Sequence, residues 1–219
     1  MYYLTIDTET TNNLDDPIVY DLGGAVHDEQ GAIVKTFSFV IADVFLEMPE
    51  LMKEAYFVDK IPQYFEEIKS GKRTVIRFVE AKMYVERLCK LYNIEAIIAH
   101  NMRFDCNALN TTQRFLTCSK YRYFLPYGVP LWDTLKMARQ ILGKDKNYRQ
   151  FCIKNEYVYN GSCPRYTAEI IYRYITGTAD FTEAHTGLED VLIEKEIFAY
   201  CMNKNAEVEK LCFPPQVVR

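Results

Sequence analysis

The chain lacks the marks of several large protein classes. None of its apolar runs approaches the ~20 residues that a membrane-spanning helix needs, so a soluble protein is expected. It has no surplus of positive charge. With 26 Lys and Arg against 30 Asp and Glu, the net charge is -4, which argues against a protein that simply coats nucleic acid. Its seven cysteines (Cys89, Cys106, Cys118, Cys152, Cys163, Cys201 and Cys212) are scattered, odd in number and without C-x-x-C spacing. Neither a disulfide framework nor a zinc site is expected, and reduced thiols in a cytoplasmic setting fit the pattern. Residues 1–6 run straight into an acidic motif, which leaves no room for a removable leader. No internal repeat or low-complexity linker divides the sequence. One domain is therefore expected over 1–219, with a core at about 2–202, a variable insertion at 43–73 and a C-terminal tail at 203–219.

What the chain does contain is a globular composition, 49% hydrophobic and 14% aromatic, far from the disordered regime. Residues 2–7 alternate, with Leu4 and Ile6 on one face and Tyr3, Thr5 and Asp7 on the other, as in a strand. Further strands are predicted at 19–27 and 32–41 around the turn 28–31, giving an antiparallel meander. Residues 43–73 give no clear pattern. Thr74 is read as the cap of a helix reaching about Tyr92, followed by a short buried strand at 95–99 and a helix at about 104–115. Asp133 caps a helix through Leu142, shorter helical pieces cover 148–154 and 166–175, and the last helix runs from about 187 to 202. Strands first and helices later, with a strand–helix unit between, predict an α/β fold with a mixed central sheet flanked by helices.

Three short motifs carry chemistry. The first is Asp7-Thr8-Glu9-Thr10, whose two carboxylates share a strand face ~6.5 Å apart, close enough to grip one cation or straddle a pair. The second is His100-Asn101-Met102-Arg103-Phe104-Asp105, which places Asp105 in the first turn of a helix. The third is His185-Thr186-Gly187-Leu188-Glu189-Asp190, read as a capping box with Thr186 as the cap and Glu189 at the third helical position. Each motif alone has an ordinary reading: a polar turn, first-turn charge complementarity, or a surface helix start. His100 is read as a hydrogen-bonded strand-end histidine, and His27 as an ordinary strand residue. Together the motifs offer four carboxylates and an imidazole to one pocket, the equipment for metal-assisted hydrolysis of a phosphodiester. Two basic–aromatic stretches, Lys120-Tyr121-Arg122-Tyr123-Phe124 and Lys144 to Arg149 with Lys146 and Tyr148, are read either as a phosphate track with stacking rings or as solvated loops.

The set Asp7-x-Glu9, His100-Asn101-x-x-Phe104-Asp105 and His185-x4-Asp190 resembles the motifs of the DEDDh 3′–5′ exonucleases, relatives of the proofreading subunit of bacterial DNA polymerase III and of ribonuclease T. The resemblance extends from residue 2 to about 202 and includes Trp132-Asp133-Thr134-Leu135. It implies a ribonuclease H-like fold and stepwise removal of nucleotides from single-stranded or frayed 3′ ends of DNA or RNA with two Mg2+ or Mn2+ ions. By that resemblance, Asp7 bridges the ions, Glu9 and Asp190 hold the one carrying the attacking water, Asp105 serves the other, and His185 is the general base. Thr10, Asn101 and Phe104 would contact the terminal nucleotide, and a polymerase or a second copy of the chain would be the protein partner. Asn12-Asn13 and Met102 depart from the family pattern, and 43–73 does not align. The competing readings are a non-catalytic nucleic-acid-binding or polymerase-associated module, and an interaction protein whose motifs are only turns and caps. Convergence of the carboxylates within ~8 Å separates the last from the other two.

Overall fold

The computed structural model describes residues 1–117 and 123–204. Its centre is a six-stranded sheet. Strand β1 (Tyr2–Thr11) pairs antiparallel with β2 (Ile18–His27), and β2 pairs antiparallel with β3 (Ile33–Ile41). This is the expected meander. Two short helices, α1 (Ala42–Phe45) and α2 (Pro49–Met52), a 3-10 turn (Val58–Lys60) and α3 (Ile61–Lys69) follow. The chain then re-enters the sheet as β4 (Thr74–Ile76), parallel to β3, before α4 (Phe78–Leu91). Strand β5 (Ile94–Ala99) lies parallel to β1, and α5 (Met102–Leu116) follows it. Strand β6 (Leu131–Asp133), parallel to β5, completes the order β4-β3-β2-β1-β5-β6. The remaining elements are α6 (Thr134–Leu142), α7 (Lys146–Lys154), a small hairpin of β7 (Val158–Tyr159) and β8 (Cys163–Pro164), α8 (Ala168–Thr176) and α9 (Gly187–Lys204).

Both sheet faces are covered, and the alternation of β1 decides which side chain goes where. Leu4 and Ile6 join the apolar cluster with Val85, Leu88 and Leu109 from α4 and α5. Tyr3 joins the opposite cluster with Met137, Ile171, Ile197 and Phe198 from α6, α8 and α9. Every residue of β2 is buried, as expected for a central strand walled on both faces. The 43–73 stretch belongs to the first cluster through Val44, Phe45, Met52 and Tyr64.

Two local expectations fail for clear reasons. Thr74 does not cap a helix, because Thr74-Val75-Ile76 are β-branched and extend the sheet edge beside Phe39, Val40 and Ile41. The helix starts four residues later, where Asp43 accepts the Phe78 N–H at 2.8 Å and Glu80 accepts the Arg77 N–H at 3.0 Å. Strand β1 also runs on to Thr11, with a register shift between Glu9 and Thr10. Its pairing with β5 ends at Thr5↔Ile98. The carboxyl ends of the parallel pair therefore part, and a crevice of the kind that binds ligands in open α/β sheets lies between them.

A carboxylate-lined candidate active site

The first motif sits in that crevice as strand, not turn, with Asp7 and Glu9 on the face that looks toward α9. Asp105 enters from the first turn of α5, where its Oδ1 accepts both the Thr8 N–H (3.1 Å) and the Thr8 hydroxyl (2.8 Å). Asn101, in the left-handed region at φ 74°, turns the chain from β5 into that helix. Its N–H is taken by Asp133 at 3.0 Å, the same carboxylate that caps α6 through Leu135 N–H.

The third motif reaches the site through an unusually close contact between backbones. A Cβ on Gly23 would lie 2.1 Å from the Gly187 carbonyl carbon, and one on Gly187 would lie 2.6 Å from Gly23 N. Only glycine at both places lets the start of α9 rest on β2. The cap differs from the expected box. Asp190 Oδ2, not Glu189, accepts the Thr186 N–H at 3.1 Å. Glu189 instead takes the Thr186 hydroxyl at 2.6 Å and ion pairs from Lys72 (2.6 Å) and Arg73 (3.0 Å).

Carboxylate oxygens of Asp7, Glu9 and Asp190 thus lie within 4.8 Å of one another. Asp105 lines the same cavity, of about 570 Å³, with His185, Asn101, Phe104 and His100. Thr10 is buried and is not among the lining residues; its carbonyl accepts the Tyr56 N–H at 3.4 Å. His100 is hydrogen-bonded as expected, Nδ1 to the Thr134 hydroxyl (3.0 Å) and Nε2 to the Tyr166 carbonyl (2.8 Å). His27 is a fully buried strand residue joined to Thr5 and the Asp28 carbonyl.

The electrostatics of the cavity are one-sided. Burial, then repulsion from Glu194, Asp105, Glu9 and Asp190, pushes Asp7 well above the usual carboxylate range. Burial and Asp190 push Glu9 up to about 9, and burial and Glu183 push Asp190 up to about 8. Burial also raises Asp105, to about 7, against the hydrogen bonds from Thr8. Two further acids, Glu183 and Glu194, line the same cavity. Burial lifts both, and Glu194 accepts the His100 N–H at 3.2 Å. Sequence reading missed both; the signal for Glu194 was its place one helical turn beyond Asp190 on a buried face.

These donors suit a hard divalent cation. All are oxygens, three of them converge, and Asp190 Oδ1 is buried with no hydrogen-bond partner. Beside them, the His185 imidazole, at φ 53°, lies flat against the Phe57 ring, with centroids 4.3 Å apart and planes at 11°. Burial and nearby Lys60, opposed by Glu169, hold it below the usual histidine range. That shift favours the unprotonated imidazole, the form able to accept a proton.

The two basic–aromatic stretches fare differently. Lys120, Tyr121 and Arg122 lie outside the described residues, while Phe124 and Tyr148 are fully buried. Tyr148 is therefore core and no stacking surface for bases.

No protein-family profile matches the chain, and no curated protein matches its sequence. Solved structures do match its fold. A 3′-exonuclease described in 3′-end-specific recognition of a histone mRNA stem-loop aligns with a TM-score of 0.59 at 12% identity, over 95% of this chain and 66% of that one. A full-length 3′-exonuclease gives 0.59 and 12% over 95% and 84%. A zinc-bound complex of E. coli ExoI with single-stranded DNA gives 0.52 and 15% over 94% and 41%. The chain thus spans just under two thirds of the first and less than half of the last. Its mixed six-stranded sheet with flanking helices is the ribonuclease H-like fold of these 3′-exonucleases.

Proposed function

We propose that this chain is a divalent-metal-dependent 3′-to-5′ exonuclease of the DEDDh type, releasing nucleoside monophosphates from single-stranded or frayed 3′ ends. One observation carries the reading. Acids from three distant parts of the chain, Asp7 and Glu9, Asp105, and Asp190, line one cavity, none of them ion-paired to a Lys or Arg among the described residues, with the His185 imidazole on the same wall. A protein that only bound nucleic acid would gain nothing from such a group, since bare carboxylates repel phosphate.

Asp7, Glu9 and Asp190 would hold one Mg2+ or Mn2+, and Asp7 with Asp105 a second. Bound there, the ions would acidify a water and offset charge on the attacking and departing oxygens. The chain's own contribution is the rest. Thr8 fixes one oxygen of Asp105, the Thr186 N–H fixes one oxygen of Asp190, and Phe57 fixes the plane of His185. His185 takes the proton of the attacking water, which its lowered pKa permits at neutral pH. Asn101 and Phe104, on the cavity wall, would meet the terminal nucleotide.

The test is a 5′-labelled oligonucleotide with magnesium, read as a ladder of products shortened from the 3′ end. Asp7→Ala should abolish turnover, and His185→Ala should lower kcat by roughly 10²–10⁴-fold. Full activity in either variant, or degradation from the 5′ end, rejects the reading. Matched DNA and RNA strands in the same assay decide the sugar preference.

A further inference from the structure

One wall of the cavity has nothing to do with the carboxylates. The hairpin of β7 and β8 turns at Tyr159 to Ser162, where Ser162 N–H returns to the Tyr159 carbonyl at 3.2 Å. The central residues of that turn, Asn160 and Gly161, have φ of 48° and 74°, the combination that a tight Asn-Gly hairpin turn requires. Its base is tied to the core. Arg165 N–H meets the Tyr157 carbonyl at 3.0 Å, the Arg165 carbonyl takes the hydroxyl of buried Tyr148, and the Tyr166 carbonyl meets His100. These bonds join the base of the hairpin to the rest of the fold.

Its outer surface is cationic and aromatic. Tyr159 is 55% exposed and has the Arg165 guanidinium 4.8 Å from its ring centroid. Arg139 from α6 sits 5.8 Å from the Tyr166 ring. Arg139, Tyr159 and Tyr166 line the same cavity as the six acids. Among the described residues neither guanidinium is salt-bridged to a carboxylate. A chain with net charge -4 thus sets two arginines, neither salt-bridged among the described residues, over two rings, with Arg139, Tyr159 and Tyr166 on the wall of the acid-lined cavity. An unpaired polynucleotide answers both features, because phosphates pair with guanidiniums while each exposed base offers a face to a ring. A duplex answers only the first, since its bases are already stacked.

We propose that the β7–β8 hairpin and Arg139 form a binding subsite for single-stranded nucleic acid, in which Tyr159 stacks on a base upstream of the terminal nucleotide and Arg139 and Arg165 hold the adjoining phosphates. The assignment of that base as upstream rests on the exonuclease reading above. Because every base has a π face, the subsite takes strands without sequence preference and fails to gain from a duplex.

The experiment is fluorescence anisotropy with a labelled twelve-nucleotide single strand, on the protein carrying Asp7→Asn so that binding is measured without turnover. Adding Tyr159→Ala and Arg165→Ala should weaken the Kd about ten-fold or more. Tyr159→Phe should leave it unchanged, which separates a stacking ring from a hydroxyl contact. Arg139→Gln with Arg165→Gln should flatten the dependence of log Kd on log salt by about 0.7 per charge removed. An unchanged Kd in the Tyr159→Ala/Arg165→Ala protein, with an unchanged melting temperature, overturns the subsite. If the hairpin variants weaken binding while the parent protein releases no nucleotides, the exonuclease reading falls and the subsite stands. If the parent degrades 3′ ends and the hairpin variants bind normally, the reverse holds.

Discussion

Glu189 and Asp190 are neighbours in the chain, at the start of one helix, yet they belong to two buried acidic regions of opposite character. Glu189 turns toward Arg73. Burial raises its pKa, but Lys72, Thr186 and Arg73 outweigh burial and hold it below the usual range. In that region Asp21, fully buried, accepts the Tyr64 hydroxyl (2.6 Å), an Arg73 Nη1 proton (3.0 Å) and the Gly187 N–H (2.9 Å), while Arg73 also bonds Glu67 and Ser38. Asp190 turns toward Asp7 and Glu9, where no Lys or Arg pairs with the acids among the described residues and its pKa rises to about 8. Among the described residues, the fold supplies a cation to one cluster and none to the other. A group of acids kept close without a counter-charge is costly to the folded state, and such exceptions concentrate at functional sites.

Removing the internal cation gives the largest effect. Arg73→Met leaves Asp21 buried and uncompensated among β2, α3 and the start of α9, and should lower stability by about 3–5 kcal/mol in urea unfolding. Adding Asp21→Asn to that variant should restore much of the loss. A cost for Arg73→Met under ~1 kcal/mol would mean that the two clusters do not differ as the comparison requires.

The same kind of change in the other cluster should act with the opposite sign. Glu9 has a folded pKa of about 9 against an ordinary 4.5. Between those values the folded protein keeps a proton that the unfolded chain releases. The metal-free protein should therefore lose stability as pH rises from about 4.5 toward 9. Glu9→Gln should flatten that slope and make the metal-free protein more stable at pH 7, by up to about 3 kcal/mol. Magnesium at a hundred times its Kd should stabilise the parent by ~2.7 kcal/mol and the variant far less. Thermal melts across pH, with and without magnesium, read all three. A parent whose stability is flat over that range would erase the contrast.

How much of this was legible in the sequence depended on whether the signal was local. The meander, β5, the Asp133 cap and α9 are local patterns, and so are the three acidic motifs. The Thr74 segment was misread because three β-branched residues before a helix suit an edge strand only when β3 is beside them. The Lys144–Arg149 stretch has the composition of a phosphate track, but helical geometry turns Tyr148 into the core. The stretch 43–73 gave no signal because its helices are short and its two influential side chains, Phe57 and Arg73, act across 128 and 116 residues of chain on His185 and Glu189. The Gly23–Gly187 contact is equally invisible to periodicity.

Phe57 tests the least of these effects, and it separates what the 43–73 stretch does for folding from what it does for catalysis. The stretch holds Arg73, which the stability of the acid cluster around Asp21 needs, and Phe57, whose ring meets its neighbour Tyr56 and, in the second region, His185. Loss of a single stacked pair costs about 0.5–1.5 kcal/mol, and His185 at φ 53° has a strained backbone that the stack helps to hold. Phe57→Ala should therefore change the urea midpoint little, leave magnesium stabilisation intact, and lower kcat by about two- to ten-fold with KM nearly unchanged. Phe57→Tyr should restore kcat, since a ring of the same shape fills the same place. If Phe57→Ala instead lowers stability as much as Arg73→Met, the whole stretch is scaffold, and the plane of the imidazole is set by something other than that ring.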